Sequence, residues 1–252
     1  MDLDGATAIV TGAAVGTGRA IAGRLAADGA LVVVADVDVR GGEETVARIE
    51  RAGGRARFVR ADMRDAADVA KLVAGAHGLR VLVNNAGGGG HIPPHFPDAT
   101  PAQWGATLDL NLGAAMRATQ LALAPMRRAG GGAIVNIAST AGLGLAPYES
   151  PEYGAAKAGL IRFTATLAGL RQRMGVRLNC VVPDWVLTDR AKAELAAMTP
   201  DERAAAPEPV ALEDLAEAVM AFVGDETLAG RVVVLRGGAP PRLLAPDEAG
   251  AL

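Results

Sequence analysis

Short apolar runs recur along the chain: TAIV (7–10), LVVVA (31–35), ARFV (56–59), VLVN (81–84), AIVNIAS (133–139), VRLNCVV (176–182) and RVVVL (231–235). They are rich in valine and isoleucine and lack strict apolar–polar alternation, which is how strands buried on both faces read. Alanine-rich segments with apolar residues at helical spacing lie between most of them. RAIAGRLAADG (19–29) and EETVARIERAGG (43–54) both end on glycine, where a helix C-cap is expected. Repeated strand–helix alternation predicts an α/β fold, a doubly wound parallel sheet of about seven strands with helices on both faces. No linker, composition shift or repeat divides residues 1–252, so one domain is expected. Residues 188–212 sit in a stretch that holds no strand pattern but three prolines, which suits a lid. Residues 240–252 read as a loosely held tail.

Composition narrows the function without naming it. Half of the 252 residues are hydrophobic, enough for a buried core, and the net charge of −3 is mild. There is no basic tract and no zinc-finger spacing, so nucleic acid is not an expected partner. No apolar run reaches the roughly 20 residues of a membrane span. The acidic start, MDLDG, does not read as a secretory signal, and the one cysteine, Cys180, permits no internal disulfide. A soluble cytoplasmic protein is the expectation.

TGAAVGTG (11–18) follows the first strand and opens the first helix. Gly12, Gly16 and Gly18 allow a tight turn and close approach of a ligand to backbone, and the helix N-terminus offers free N–H groups to a pyrophosphate. An ordinary strand–helix turn would carry the same glycines. The next strand, however, ends in Asp36, where a ribose hydroxyl partner is expected in a dinucleotide-binding Rossmann fold. A carboxylate there repels a 2′-phosphate, and Val15 and Val37 offer no neutralising cation, so NAD is favoured over NADP. The alternative for Asp36 is the N-cap of the following helix.

Tyr153 and Lys157 lie four residues apart in PEYGAAKAGL, on one helix face, with Gly154, Ala155 and Ala156 leaving room for a ligand beside them. A phenol titrates about three units too high for acid–base work at neutral pH, a gap of about 4 kcal/mol. One cation about 4 Å away, at an effective dielectric of about 20, supplies that much. Lys157 is therefore expected to lower the pKa of Tyr153. Ser139 ends the fifth strand, at the edge of a parallel sheet where ligands bind. A surface helix and a turn serine are the plain alternatives.

With these motifs in order, the sequence resembles the short-chain dehydrogenase/reductase family, over about residues 5–238. TGAAVGTG is similar to its cofactor loop. The resemblance implies that Asp62 and Met63, in RADM, border the adenine, and that NNAG, with Asn85, Ala86 and Gly87, lines the cofactor site. It implies that Asn111 supports a water-linked proton relay, Ser139 orients the reacting oxygen, Tyr153 is the acid/base, and Lys157 also binds the nicotinamide ribose. Pro183 and Thr188 would hold the nicotinamide end. The implied activity is hydride transfer between NAD and a secondary alcohol or ketone, in a homotetramer, with a dimer as the second choice. A catalytically idle dinucleotide-binding sensor or scaffold is the alternative.

The sequence departs from the family at three places. Ser139 and Tyr153 are one residue further apart than usual, an addition that falls within YESPE (148–152). Pro183-Asp184 replaces the usual Pro-Gly; Asp184 either keeps a left-handed turn or sets a carboxylate near the nicotinamide. Arg236 stands where an acid is usual. Residues 88–97, 140–152 and 184–212 are expected to form the substrate pocket, with His91, Tyr148 and Trp185 as wall residues; Trp185 suits core packing equally, and His91 reads more readily as a solvated loop residue. His95 is expected to be a solvated loop residue, Trp104 a core or interface residue, and Cys180 an inert buried thiol. No metal site is expected.

Overall fold

A computed structural model describes residues 1–144 and 148–245. The seven apolar runs form β1 (Thr7–Thr11), β2 (Leu31–Asp36), β3 (Arg55–Arg60), β4 (Leu79–Asn84), β5 (Gly132–Ile137), β6 (Val176–Pro183) and β7 (Val232–Leu235). They pair in parallel, and a short eighth strand, β8 (Arg242–Leu243), adds to β7 antiparallel. The order β3-β2-β1-β4-β5-β6-β7-β8 reverses between β1 and β4, the switch point where open α/β sheets bind ligands. The central strands are buried almost throughout, as their unbroken valine and isoleucine runs require. Edge strand β3 (RARFVR) instead carries arginines, which protect an open edge from pairing with another chain.

Helices cover both faces. On one lie α1 (Gly16–Ala27), α2 (Val39–Arg51) and, later in the chain, Leu212–Gly224, joined through Ile21, Leu25, Ile49, Leu215 and Phe222. On the other lie α3 (Ala66–Ala74) and, after α4 (Pro101–Leu108), α5 (Ala114–Arg128) and α6 (Pro151–Thr166). The short α7 (Leu170–Met174) leads into β6. Gly29 (φ +98°) and Gly53 (φ +85°) end α1 and α2 as the sequence predicts. A π-helical turn, Asp109–Gly113, joins α4 to α5 and carries Asn111 into the interior.

One expectation, that of the tail, changes. Residues 188–212 fold into α8 (Asp189–Ala197) and α9 (Pro200–Ala205) before α10 (Leu212–Gly224). The excursion is closed at its base, where Val210 N–H donates to Trp185 and Leu187 N–H to Val210. The expected loose tail is not loose where it is described: Leu243 pairs with Val233, and Leu244 is buried with its N–H on Val232. Two positions were too short a signal to read as a strand. Residues 145–147 of the expected pocket and 246–252 of the tail lie outside the described residues.

Candidate active site

The glycine-rich turn crosses the switch point on top of β1 and β4. A Cβ on Gly12 (φ +63°) would sit 2.8 Å from the Ala86 Cα, and one on Gly18 only 2.2 Å from the Gly12 carbonyl oxygen. Asn85 holds the turn down, its amide donating to the carbonyls of Thr11 and Gly12 (2.9 and 3.0 Å). The Thr11 hydroxyl accepts from the N–H groups of Asn85 and Ala86. Val15, at the N-cap of α1, provides no side-chain cap, and no acid sits in the first turn. The opening N–H groups of α1 are thus left for an anion, which fits a dinucleotide's pyrophosphate.

Asp36 faces that turn, accepting from Ala14 N–H (2.9 Å) and Asp38 N–H (3.0 Å). It is not the N-cap of α2; Asp38 is, accepting from Gly41 N–H. Arg40 lies in the first turn of α2. Arg19 reaches the same region, but its guanidinium is occupied by Ala14, Thr45, Gly41 and Glu44. Asp62 grips Arg64 with both oxygens, which holds its carboxyl down at about 2. Met63 is buried.

The four expected catalytic side chains converge at the C-terminal ends of β4 and β5. Lys157 is buried and donates to the Ile137 carbonyl (3.1 Å), with its Nζ 5.5 Å from the centre of the Tyr153 ring. Ser139 lies near enough to the Tyr153 phenol to favour its charged form, and it caps a short turn over Thr140–Gly142 by accepting from Ala141 N–H (3.2 Å). Asn111 accepts from Gly88 N–H and donates to Gly88 and Thr107 carbonyls, at 2.9–3.0 Å. A Cβ on Gly87 would lie 2.7 Å from the Asn111 oxygen and 3.1 Å from Lys157 Nζ, so glycine is what lets the three meet.

The electrostatics differ from expectation. Burial pushes the Tyr153 phenol up, and the nearby Ser139 hydroxyl only partly offsets it. Burial also lowers the Lys157 ammonium to about 8. In the cofactor-free protein the lysine therefore does not bring the tyrosine down; desolvation weakens the charge of both. The small residues of α6 also act differently. Gly154 lets the 140–142 turn pack on the helix, a Cβ there falling 3.1 Å from the Ala141 carbonyl; Ala156 is buried and Ala155 exposed.

Around the tyrosine, Tyr148 stacks on its ring (centroids 6.1 Å apart, planes 27° apart) and is itself 46% exposed. Pro183 ends β6, and no described non-glycine residue has positive φ, so Asp184 turns the chain without a left-handed backbone. Its carboxylate accepts from Thr140 Oγ1 (3.1 Å) and Trp185 N–H (3.0 Å), and lies 4.0 Å from Arg236. Two departures from the family pattern thus meet each other. Thr188 caps α8, and a Cβ on Gly16 across the cofactor turn would lie 3.2 Å from its methyl. The Trp185 indole donates to Glu194 on α8 (3.3 Å). His91 is exposed at the loop tip, its pKa lowered by burial and by Arg190. Trp104 is half-buried on α4, and Cys180 is fully buried with its thiol pushed up to about 12. His95 departs from expectation: its ring is half-buried against Glu152, a residue without a recognisable motif.

Comparison with known proteins places this geometry. Residues 6–199 match the family model described as short chain dehydrogenase. D-beta-hydroxybutyrate dehydrogenase of Cupriavidus necator is 34% identical, over 99% of this chain and 90% of its own. Cis-4-hydroxycyclohexanecarboxylate dehydrogenase of Sinomonas cyclohexanicum is 36% identical, over 92% and 95%. A 7 alpha-hydroxysteroid dehydrogenase solved with NADH and 7-oxo glycochenodeoxycholic acid superposes with a TM-score of 0.83 at 28% identity, covering 94% of this chain and 95% of that one. With the match spanning most of the chain and the motifs converging in one crevice, the chain belongs to the short-chain dehydrogenase family.

Proposed function

We propose that this protein transfers a hydride between NAD and a secondary alcohol or ketone, with Tyr153 as general acid/base. The observation that carries the reading is the meeting of Tyr153, buried Lys157, Ser139 and Asn111 beside the uncapped N-terminus of α1. Gly12, Gly16 and Gly18 shape the turn for the pyrophosphate, Asp36 takes the adenosine ribose, and Asp62 and Met63 border the adenine. Val15, Asn85, Ala86, Gly87, Pro183 and Thr188 complete the cofactor site. The bound dinucleotide supplies hydride exchange at its nicotinamide ring. Ser139 holds the reacting oxygen while Tyr153 takes or gives its proton; Lys157 holds the ribose and steadies the phenolate. Asn111 supports proton traffic to the lysine.

NAD is favoured over NADP because Asp36 bears negative charge at the ribose and Arg19 is already engaged. The α8–α9 segment serves as the lid, with His91, Tyr148 and Trp185 along the pocket. Secondary alcohols bearing a carboxylate head the substrate choices, in line with the two curated relatives. Arg190 on the first turn of α8 supports this, since its charge reaches Tyr148 and Tyr153. We assign a homotetramer, with a dimer second, and a cytoplasmic location. Support for assembly is an open groove of about 520 Å3 between α10 and β7–β8, lined by Phe222, Leu228, Val233 and Leu243.

The test follows NADH formation at 340 nm with NAD or NADP and a panel of hydroxy acids, sugars, other secondary alcohols and sterols. Wild type should turn over at least one hydroxy acid with NAD. Tyr153→Phe should lose about 10²–10⁴-fold in kcat while still binding NADH. Turnover by the variant at the wild-type rate would remove the acid/base role, and turnover with NADP alone would overturn the reading of Asp36.

A further inference from the structure

Glu152 immediately precedes Tyr153 in the first turn of α6, and its side chain is only 6% exposed. A buried carboxylate is costly unless its oxygens are satisfied. Here they are satisfied from the loop that follows β4. His95 Nδ1 lies 2.9 Å from one oxygen, and Phe96 N–H donates to the other at 3.3 Å. Burial works to raise the Glu152 pKa, but hydrogen bonds from its own N–H, from His95 and from Phe96 more than offset it, and the group is held low. A carboxylate at a helix N-terminus is also favoured by the helix dipole.

The segment held in this way is the one that faces the catalytic tyrosine. Its near end is fixed by Asn111, which exchanges two hydrogen bonds with Gly88. Its far end is fixed by Glu152. Between them the backbone of Gly90 lies flat against Tyr153; a Cβ there would fall 2.9 Å from the ring. Ile92 and Phe96, each about 60% exposed, form an apolar rim on the same loop. The stem of the loop is held separately, by Thr11 and Asn85. The far anchor can therefore be released without loosening the glycine-rich turn.

We propose that His95 and Glu152 are a positioning pair: they latch the 88–97 loop onto the helix that bears Tyr153 and so fix the substrate-side wall of the active site. This rests on the dehydrogenase reading of Tyr153. Neither residue touches the reacting atoms; both act through the loop. Without the latch, the loop swings off the tyrosine and substrate binds less well, while cofactor binding is kept.

His95→Ala removes one anchor. His95→Asn returns it, because the asparagine Nδ2 occupies nearly the position of the histidine Nδ1. Amide hydrogen exchange in the cofactor-free protein reads the latch directly. Phe96 donates to Glu152, and Asp98 and Ala99 donate to the His95 carbonyl. In His95→Ala these three amides should exchange about 10-fold faster or more, while amides of β1 and β4 keep their protection. KM for the best alcohol of the panel should rise about 10-fold, with kcat and the NADH dissociation constant each within about 2-fold. His95→Asn should restore both the exchange rates and KM. Unchanged exchange in His95→Ala overturns the latch. So does a parallel loss of kcat, NADH affinity and strand protection, which marks a pair that serves only the fold. If wild type turns over no alcohol, the dehydrogenase reading has failed, and the exchange data together with NADH affinity still decide the latch.

Discussion

Lys157 shows what the site does to a single side chain. It is buried among strands and helix with one carbonyl for company, and its ammonium is lowered from 10.5 to about 8. Between these values the unfolded chain holds a proton that the folded chain has released. Stability therefore rises with pH from about 8 to 10.5, and the whole penalty is present below 8. Lys157→Met carries no such penalty, and its own cost, an unpaired Ile137 carbonyl, does not vary with pH. Urea denaturation of the cofactor-free proteins at pH 7 and pH 10 should show the stability difference moving by about 2 kcal/mol toward wild type. A constant difference would mean that Lys157 keeps an ordinary pKa. The residues of this group were legible because tyrosine, glycine, alanine and lysine fall within one helical turn. The direction of the Tyr153 shift was not. It comes first from burial of the ring, to which the Gly90 backbone and Tyr148 come close, and local spacing does not show that burial. Glu152 was illegible for the same reason, since its partners lie 56 and 57 positions away.

At the scale of elements, the β1–turn–α1 unit is the best-determined part of the site. Gly18 and Gly23 both lie in α1, yet their surroundings are opposite. A Cβ on Gly18 would meet the Gly12 carbonyl at 2.2 Å, Asn85 Nδ2 at 2.6 Å and Ala13 Cα at 2.8 Å; on Gly23 it would meet nothing within 4 Å. Gly18→Ala must push the turn off Asn85. It should cost about 2 kcal/mol, roughly 4–8 °C in Tm, and weaken NADH binding about 10-fold or more. Gly23→Ala should be neutral or stabilise by about 0.5–1 kcal/mol, since it only removes backbone freedom from a helix. Thermal melts and NADH fluorescence titration check both; equal effects would mean that helix propensity, not the close approach, fixes Gly18. Strands β1–β7 were readable because burial on both faces demands runs of valine and isoleucine. The π turn at Asp109–Gly113 was not readable, because its sequence, DLNLG, carries no periodicity that separates it from the α-helices on either side.

At the scale of the molecule, the sheet decides where the chain is closed. β3 ends one edge under the guard of its arginines, but β7 reads VVVL and has no such guard. The cover comes from the segment after it. Arg242 and Leu243 pair with Val234 and Val233, Leu244 is 5% exposed, and Arg231 donates to the Leu244 carbonyl (2.8 Å). Composition hid this role, since proline-rich APPRLLAP has the look of a tail, yet its central residues join the fold. A chain ended after Ala239 loses the Leu244 burial, worth about 1.5–3 kcal/mol, and the hydrogen bonds to β7. It also leaves an apolar edge open to pairing with other chains. Its Tm should fall by roughly 5–10 °C, and light scattering should show it aggregating on heating before it unfolds. A chain ended after Ala245 keeps every one of these contacts and should melt above the shorter chain. Equal Tm for the two truncations would show that β8 adds nothing to the sheet, leaving β7 to be covered from elsewhere. A loss confined to the shorter chain makes residues 240–245 the seal on the strand that carries Arg236 to Asp184, and with it the far wall of the active site.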